Sequence, residues 1–369
     1  MTTSDELTDV PTPSVDSLDT YLSAGRSWPF SSSELAAGLR RFSGDPTLQI
    51  VQYYDREVTQ RLPSVGKLRG IEVETSGSAG EKTYTLVLKE PHGSTRTGAA
   101  GAGLREVSVY QTLREHLPVK IPPLVAAHPR GDWLVLEHLP TGRRPDKWSA
   151  ADYLLAAEHL ALLHDRFWGL GADLEVYTWL EKPLRSDRDI YIQAAQKSAH
   201  DLAQKPDSFI GSQTDVLEIT DKIIRHLDEI ITVLQDSPSV LLHGDYWPGN
   251  IIIHQRDGLT VFDWEDAAIG PPVLDLLGFI QGSSWWFSPL PLPADEIVQH
   301  YRQRLAQLGA HTYTDDEFSL LWDHAVMWTF VGGWVNNLAN THDALLHMRL
   351  GALEEVLFAP LRAAVERRL

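Results

Sequence analysis

From Leu48 to Leu139 apolar and polar positions partly alternate, whereas beyond Gly142 the apolar positions recur every third or fourth residue. Three segments of the first stretch, 48–54, 70–75 and 84–89, are rich in β-branched and aromatic residues. Each reads as a half-buried strand. Residues 76–80 (Ser-Gly-Ser-Ala-Gly) supply a turn between the second and third. A helix begins near Leu104, where Val107, Tyr110, Gln111, Leu113 and Leu117 give a helical period. Two more strands are predicted around 123–127 and 133–137. This order predicts an antiparallel sheet with one inserted helix, not a βαβ alternation.

The second pattern starts with Ser149 and Asp152, spaced as a capping box ahead of Leu154, Leu155, Leu160, Leu162 and Leu163. Residues 215–234 repeat the helical period. Strand-like 240–242, 250–253 and 259–262 follow, the last two joined by an Asp257-Gly258 turn. From Leu274 the chain is helical again, including 317–340 and 353–367. Upstream, Ser32 or Ser33 caps a short helix through Leu39 and Phe42. The fold class is therefore α+β, with a small sheet lobe at 31–139 and a larger, mainly helical lobe at 140–369.

Composition narrows the function. The 369 residues carry a net charge of −18, and 43% of them are apolar. That is enough to bury a sizeable core, and the acidity argues against nucleic acid and anionic membrane as partners. Asp5, Glu6, Asp9, Asp16 and Asp19 precede the first basic residue, Arg26, so 1–30 is expected to be a disordered acidic tail. Cysteine is absent, which removes thiolate metal sites and Cys nucleophiles. No apolar run suits a membrane helix and the first residues lack signal-peptide character, so a cytoplasmic location is expected.

The chemistry concentrates in His243-Gly244-Asp245, Asn250 and Asp263-Trp264-Glu265. A carboxylate, an amide oxygen five residues later and a second carboxylate after the next strand converge at one hairpin mouth. Mg²⁺ takes hard oxygen ligands and shares them with phosphate. Phosphoryl transfer needs that charge compensation and one carboxylate facing the attacking hydroxyl. Asp245 is the candidate base, and Asn250 with Asp263 the candidate metal ligands.

This run resembles the catalytic loop and metal motif of the aminoglycoside phosphotransferase and choline kinase-like family. The following tract 267–276, Ala-Ala-Ile-Gly-Pro-Pro-Val-Leu-Asp-Leu, is similar to that family's next block. The resemblance implies a two-lobed protein kinase-like fold and transfer from ATP, with GTP left open, assisted by Mg²⁺, to a small-molecule hydroxyl. It implies that Asp275 buttresses the catalytic loop, that His243 is a brace, and that Glu265 reaches a second ion. It places Lys89 on the third strand to hold phosphates, with Glu106 on the next helix to steady it, Glu115 of the same helix being the alternative. It sets the adenine against the backbone of 137–139, with Glu137 and Leu139 as the contact positions.

One departure stands out. No Gly-x-Gly-x-x-Gly precedes Lys89; the first turn holds Ser64 and a single Gly66, whose backbone N–H groups would have to meet phosphate. The glycine-rich 93–103 follows Lys89 instead and is read as a connection, with a flap carrying Arg96 as the rival. On the acceptor side the candidates are Trp247, Asp266, Trp285, Trp286 and Asp323. Seven of the 12 Trp lie beyond position 240, including Trp328 and Trp334, which face differently on one predicted helix. An aromatic cleft in an acidic protein suggests an aminoglycoside or amino-sugar acceptor, cationic in character. Choline or another amino alcohol, a nucleotide-binding scaffold without turnover, and more weakly a metal-dependent hydrolase are the rivals. The oligomeric state is left open.

Overall fold

The computed structural model describes residues 27–57, 66–93, 98–205, 207–254, 258–309 and 311–369. The alternating segments form one antiparallel sheet. Its strands are β1 (Gln49–Arg56), β2 (Lys67–Gly77), β3 (Gly80–Glu90), β4 (Leu124–Ala127) and β5 (Leu134–Glu137), in the order β1-β2-β3-β5-β4. The β2–β3 hairpin closes with Gly77 opposite Gly80, so the 76–80 turn lies where it was expected. β3 is internal, with Lys89 opposite Leu68 on one side and Leu134 on the other. That register anchors the Lys89 backbone on both flanks.

Helix α1 (Ser32–Ser43) starts from a complete Ser31–Glu34 capping box, one residue before the predicted cap. It crosses β4 so closely that a Cβ on Gly38 would overlap the Val125 carbonyl. The core beneath contains Leu35, Leu39, Ile71, Val73, Leu86, Leu88 and Val135. Packing begins earlier than Ser31: Phe30 is buried and meets Tyr53 and Trp133, with Trp28 beside it. The rest of the predicted acidic tail lies outside the described residues. Helix α2 (Ala102–Ser108) is the inserted helix, continued by a π turn over Val109–Leu113.

The remainder is mainly helical. Helix α3 (Ala150–Arg166) opens at the predicted box, with the Ser149 N–H and hydroxyl both donating to Asp152. Helix α4 (Arg188–Ala203) lacked a clear period in the sequence. The stretch 215–234 is two helices, α5 (Thr214–Arg225) and α6 (Leu227–Gln235), broken at His226. Then come β6 (Val240–Leu242), β7 (Ile251–Ile253), β8 (Leu259–Val261) and β9 (Ala268–Gly270). β7 and β8 form the expected hairpin, though Asp257 of its turn lies outside the described residues. β6 pairs instead with β9, which the sequence pattern did not show.

Helices α7 (Val273–Phe287), α8 (Ala294–Gly309), α9 (Asp315–Thr329), α10 (Val335–Asn340) and α11 (Ala359–Arg368) complete the chain. The predicted helix 317–340 is α9 and α10 joined by a π turn over Phe330–Trp334. No helix among the described residues is long and apolar enough to cross a membrane.

Candidate active site

The loop after β6 is held by one carboxylate. Asp275, in the first turn of α7, accepts from the N–H groups of His243 (2.7 Å) and Gly244 (2.9 Å). His164 of α3 reaches the same carboxylate at 3.4 Å and contacts the Tyr301 hydroxyl at 2.6 Å. Gly244 has φ +84°, and a Cβ there would overlap the Asp266 carbonyl, so this position needs glycine twice over. The His243 ring spans the loop: Nδ1 accepts the Asp245 N–H at 3.3 Å and Nε2 donates to the Phe262 carbonyl at 3.0 Å. Burial holds its pKa below the ordinary 6.5, so the ring is neutral, as that bonding pattern requires.

These bonds fix Asp245 in place. Its Oδ2 accepts from Asn250 Nδ2 at 2.8 Å and from Trp247 Nε1 at 3.2 Å, leaving Oδ1 unpartnered among the described residues. Asn250 Nδ2 also donates to the Asp245 carbonyl at 2.9 Å. With its amide nitrogen so engaged, Asn250 presents its oxygen elsewhere.

Across the site, the Lys89 ammonium is surrounded by acids. It pairs with Glu106 of α2 at 2.7 Å, with Glu265 at 2.9 Å, and with Asp263. Burial opposes the charge on Lys89, but the carboxylates of Asp263, Glu106 and Glu265 outweigh it and hold the ammonium well above its ordinary pKa. Burial pushes the Glu106 carboxyl up, the neighbouring charges of Asp263 and Glu265 add to this, and Lys89 opposes it. Asp263 has φ +67°, the only non-glycine positive φ among the described residues. That left-handed turn directly after β8 aims its carboxylate back at β3.

The donor types suit a divalent cation, while the Lys89 ammonium fills the centre of the three-acid cluster. Glu106, Asp263 and Glu265 bring one oxygen each within 4.8 Å of one another, and the Asn250 amide oxygen faces away from Asp245. All are hard oxygen donors, the set that Mg²⁺ prefers over softer metals.

Arg105, beside Glu106, was missed in the sequence. It is 3% exposed and reaches across to the helical part. Its guanidinium donates to the carbonyls of Trp179 (3.1 Å), Ala100 (3.2 Å) and Glu265, and pairs with buried Glu181 at 2.9 Å. Tyr191 donates to the other Glu181 oxygen. Glu181 also bonds β9 through its backbone. The available signal was position: Arg105 lies four residues before buried Val109, on the packed side of the helix.

A cavity of about 340 Å³ opens beside Asp245. Trp247, Trp285 and Trp286, all expected near the acceptor, line it, together with Trp334 from the π turn and Gln281 from α7. Trp328 instead belongs to the core. Two expectations change. Asp323 is 1% exposed and pairs with Arg367 (2.6 Å) and Arg368 (2.8 Å), tying α11 to α9 away from this cavity. Asp266 does not line the cavity; it sits among other acids, and burial followed by the charges of Asp245, Glu181, Glu265 and Asp263 raises its pKa well above the ordinary value.

At the segment following β5, the N–H groups of Glu137 and His138 are taken by the carbonyls of Pro123 (3.0 Å) and Thr85 (3.0 Å). The Leu139 N–H makes no hydrogen bond among the described residues. Gly66 lies against the end of β3, where a Cβ would stand 2.9 Å from the Glu90 carbonyl. Ser64 and Arg96 lie outside the described residues. In the glycine-rich connection, Gly101 donates to the Gly93 carbonyl at 3.1 Å and caps α2 at φ +81°.

A family model described as phosphotransferase enzyme family matches residues 69–312, more than half of the chain. Among solved structures, Plasmodium vivax ethanolamine kinase superposes with a TM-score of 0.54 and 14% identity, covering 85% of this chain and 83% of that one. An aminoglycoside phosphotransferase from Alicyclobacillus acidocaldarius gives 0.51 and 12%, covering 93% and 99%. Macrolide 2'-phosphotransferase from Brachybacterium faecium gives 0.46 and 18%, covering 85% and 96%. At these identities the likeness to the first two is one of fold. None of the curated protein sequences matches the chain significantly.

Proposed function

Since the chain belongs to the phosphotransferase enzyme family, and is thus a small-molecule phosphotransferase acting on a hydroxyl, we propose that it transfers the γ-phosphoryl group of ATP, with Mg²⁺, to a sugar-like acceptor. The acceptor lies in the tryptophan-lined cavity with its hydroxyl facing Asp245 Oδ1. That oxygen takes the proton as the hydroxyl oxygen bonds the γ-phosphorus. The bond between phosphorus and the β–γ bridging oxygen breaks, and ADP leaves with its electron pair.

Asn250 and Trp247 keep the base oriented. Lys89, steadied by Glu106, exchanges part of its carboxylate shell for phosphate oxygens. Asn250, Asp263 and Glu265 would hold Mg²⁺, which would supply positive charge against the phosphates. The Leu139 N–H receives the adenine edge.

The observation that carries this reading is the one unpartnered oxygen of Asp245, fixed at the mouth of the cavity on the loop shared with Asn250. The test is ADP formation with and without a hydroxyl acceptor, before and after removing divalent cations with EDTA. Turnover that needs both acceptor and divalent cation is expected. Equal turnover in EDTA would remove the metal from the mechanism.

A further inference from the structure

The cavity beside Asp245 has few charges on its wall. Only Asp245 and Asp275 are ionisable acids there, and no Lys or Arg lines it among the described residues. Both Asp275 oxygens already hold protein partners. Its Oδ1 takes the Gly244 N–H, and its Oδ2 takes the His243 N–H with His164 alongside. Asp245 Oδ2 is likewise engaged, so among the described residues the base oxygen is the only carboxylate oxygen on the wall without a protein partner.

Gln281 supplies the second observation. It is 2% exposed and lines the cavity from α7. Its Oε1 accepts from Trp334 Nε1 at 2.8 Å. An indole N–H only donates, so this bond fixes which end of the amide is oxygen. Gln281 Nε2 is buried with no partner among the described residues. A buried N–H without a partner calls for an acceptor oxygen on the ligand, and an ammonium would meet a donor instead.

The rest of the wall is aromatic. Trp247 stacks on Trp286 with centroids 6.0 Å apart and planes 24° apart, and Trp285 meets Trp334 edge-on at 74°. Indole faces of this kind cover the C–H surface of a ring.

We propose that the acceptor is a neutral glycoside, held by tryptophan faces and by the Gln281 amide N–H rather than by ion pairing. This rests on the phosphotransfer reading above only in placing the reacting hydroxyl at Asp245. The acidity of the chain as a whole therefore does not predict the charge of its acceptor, since the crowded acids stand on the Lys89 side.

The test uses the full chain and two readouts, quenching of tryptophan fluorescence and ADP release with ATP and Mg²⁺. Methyl glucoside and maltose are each compared with their amino-substituted counterparts, and choline is added as a quaternary cation. The neutral compounds are expected to bind about tenfold or more tightly than the amino ones. Tighter binding of the amino compounds or of choline overturns the proposal, as does failure of every neutral glycoside to quench below about 10 mM. Quenching by neutral glycosides without ADP release supports the acceptor class and overturns the phosphotransfer reading instead. Gln281→Glu keeps an oxygen for Trp334 and replaces the free N–H with a carboxylate. It is expected to weaken neutral glycosides and strengthen their amino counterparts, each by about tenfold. Unchanged preference in that variant also overturns the proposal.

Discussion

The two sides of the Asp245 loop handle buried polarity in opposite ways. Around Lys89, one buried ammonium faces three carboxylates, and their contact rests on charge complementarity. Around Trp247 and Gln281 the wall is aromatic and amide, and of its two acids Asp275 is held by backbone N–H groups and Asp245 by the Asn250 and Trp247 side chains. A crowded acidic cluster needs added positive charge to relax, which suits a divalent cation. A pocket with few charges gains most from shape and from a few hydrogen bonds, which suits a small organic acceptor. The contrast separates residues that act through charge from those that act through contact.

Several substitutions would break or sharpen that contrast. The largest effect is expected for Asp245→Asn, which should lower kcat by about 10²–10⁴-fold while leaving ATP affinity nearly unchanged. Single-turnover kinetics with an ATP-binding titration check it, and near-normal kcat would sink the base assignment. Arg105→Gln comes next. It strands Glu181 in a buried site, and breaking such a pair costs about 3–5 kcal/mol. Because Arg105 also holds the Glu265 carbonyl and adjoins Glu106, KM for ATP should rise more than KM for the acceptor. Equal changes in both would mean Arg105 serves stability alone.

A smaller effect concerns pH. His243 is neutral in the fold because burial lowers its pKa below 6.5, whereas the unfolded chain protonates near that value. Its contribution is therefore complete above pH 6.5 and is lost as the pH falls toward the depressed folded value. The slope is at most about 1.4 kcal/mol per pH unit for this one proton. Urea unfolding at pH 7.5 and 5.5 measures it, with His243→Gln expected to flatten the difference. The smallest effect on turnover is expected for Asp323→Asn. It releases Arg367 and Arg368 and should lower the Tm by a few degrees without moving KM for either substrate. A changed acceptor KM would return Asp323 to the site.

What was legible in the sequence was local. Asp245 and Asn250 are five residues apart on one loop, Asp263 ends the next strand, and Lys89 closes a strand marked by its own alternation. Spacing of that kind survives without knowledge of the tertiary fold. The β6–β9 pairing joins two three-residue strands, too short to carry a period. Arg105 and Glu181 are far apart in the chain, and each looks like an ordinary surface charge until both are buried. Asp323 looked like a ligand because an acid among tryptophans suggests a pocket, yet its partners come from the last turn of the chain. Gln281 offered no signal at all, since its meaning depends on which end of its amide Trp334 occupies.

Helix α7 has two duties separated by less than two turns. Asp275 near its start fastens the loop that carries the base, and Gln281, Trp285 and Trp286 further along shape the acceptor wall. Sliding or rotating this helix to admit a different acceptor would pull on the loop and misplace the base. The protein's route to a new acceptor therefore runs through side-chain replacement on a fixed helix, and relatives with altered pockets should keep the Asp275 end of α7 where it is.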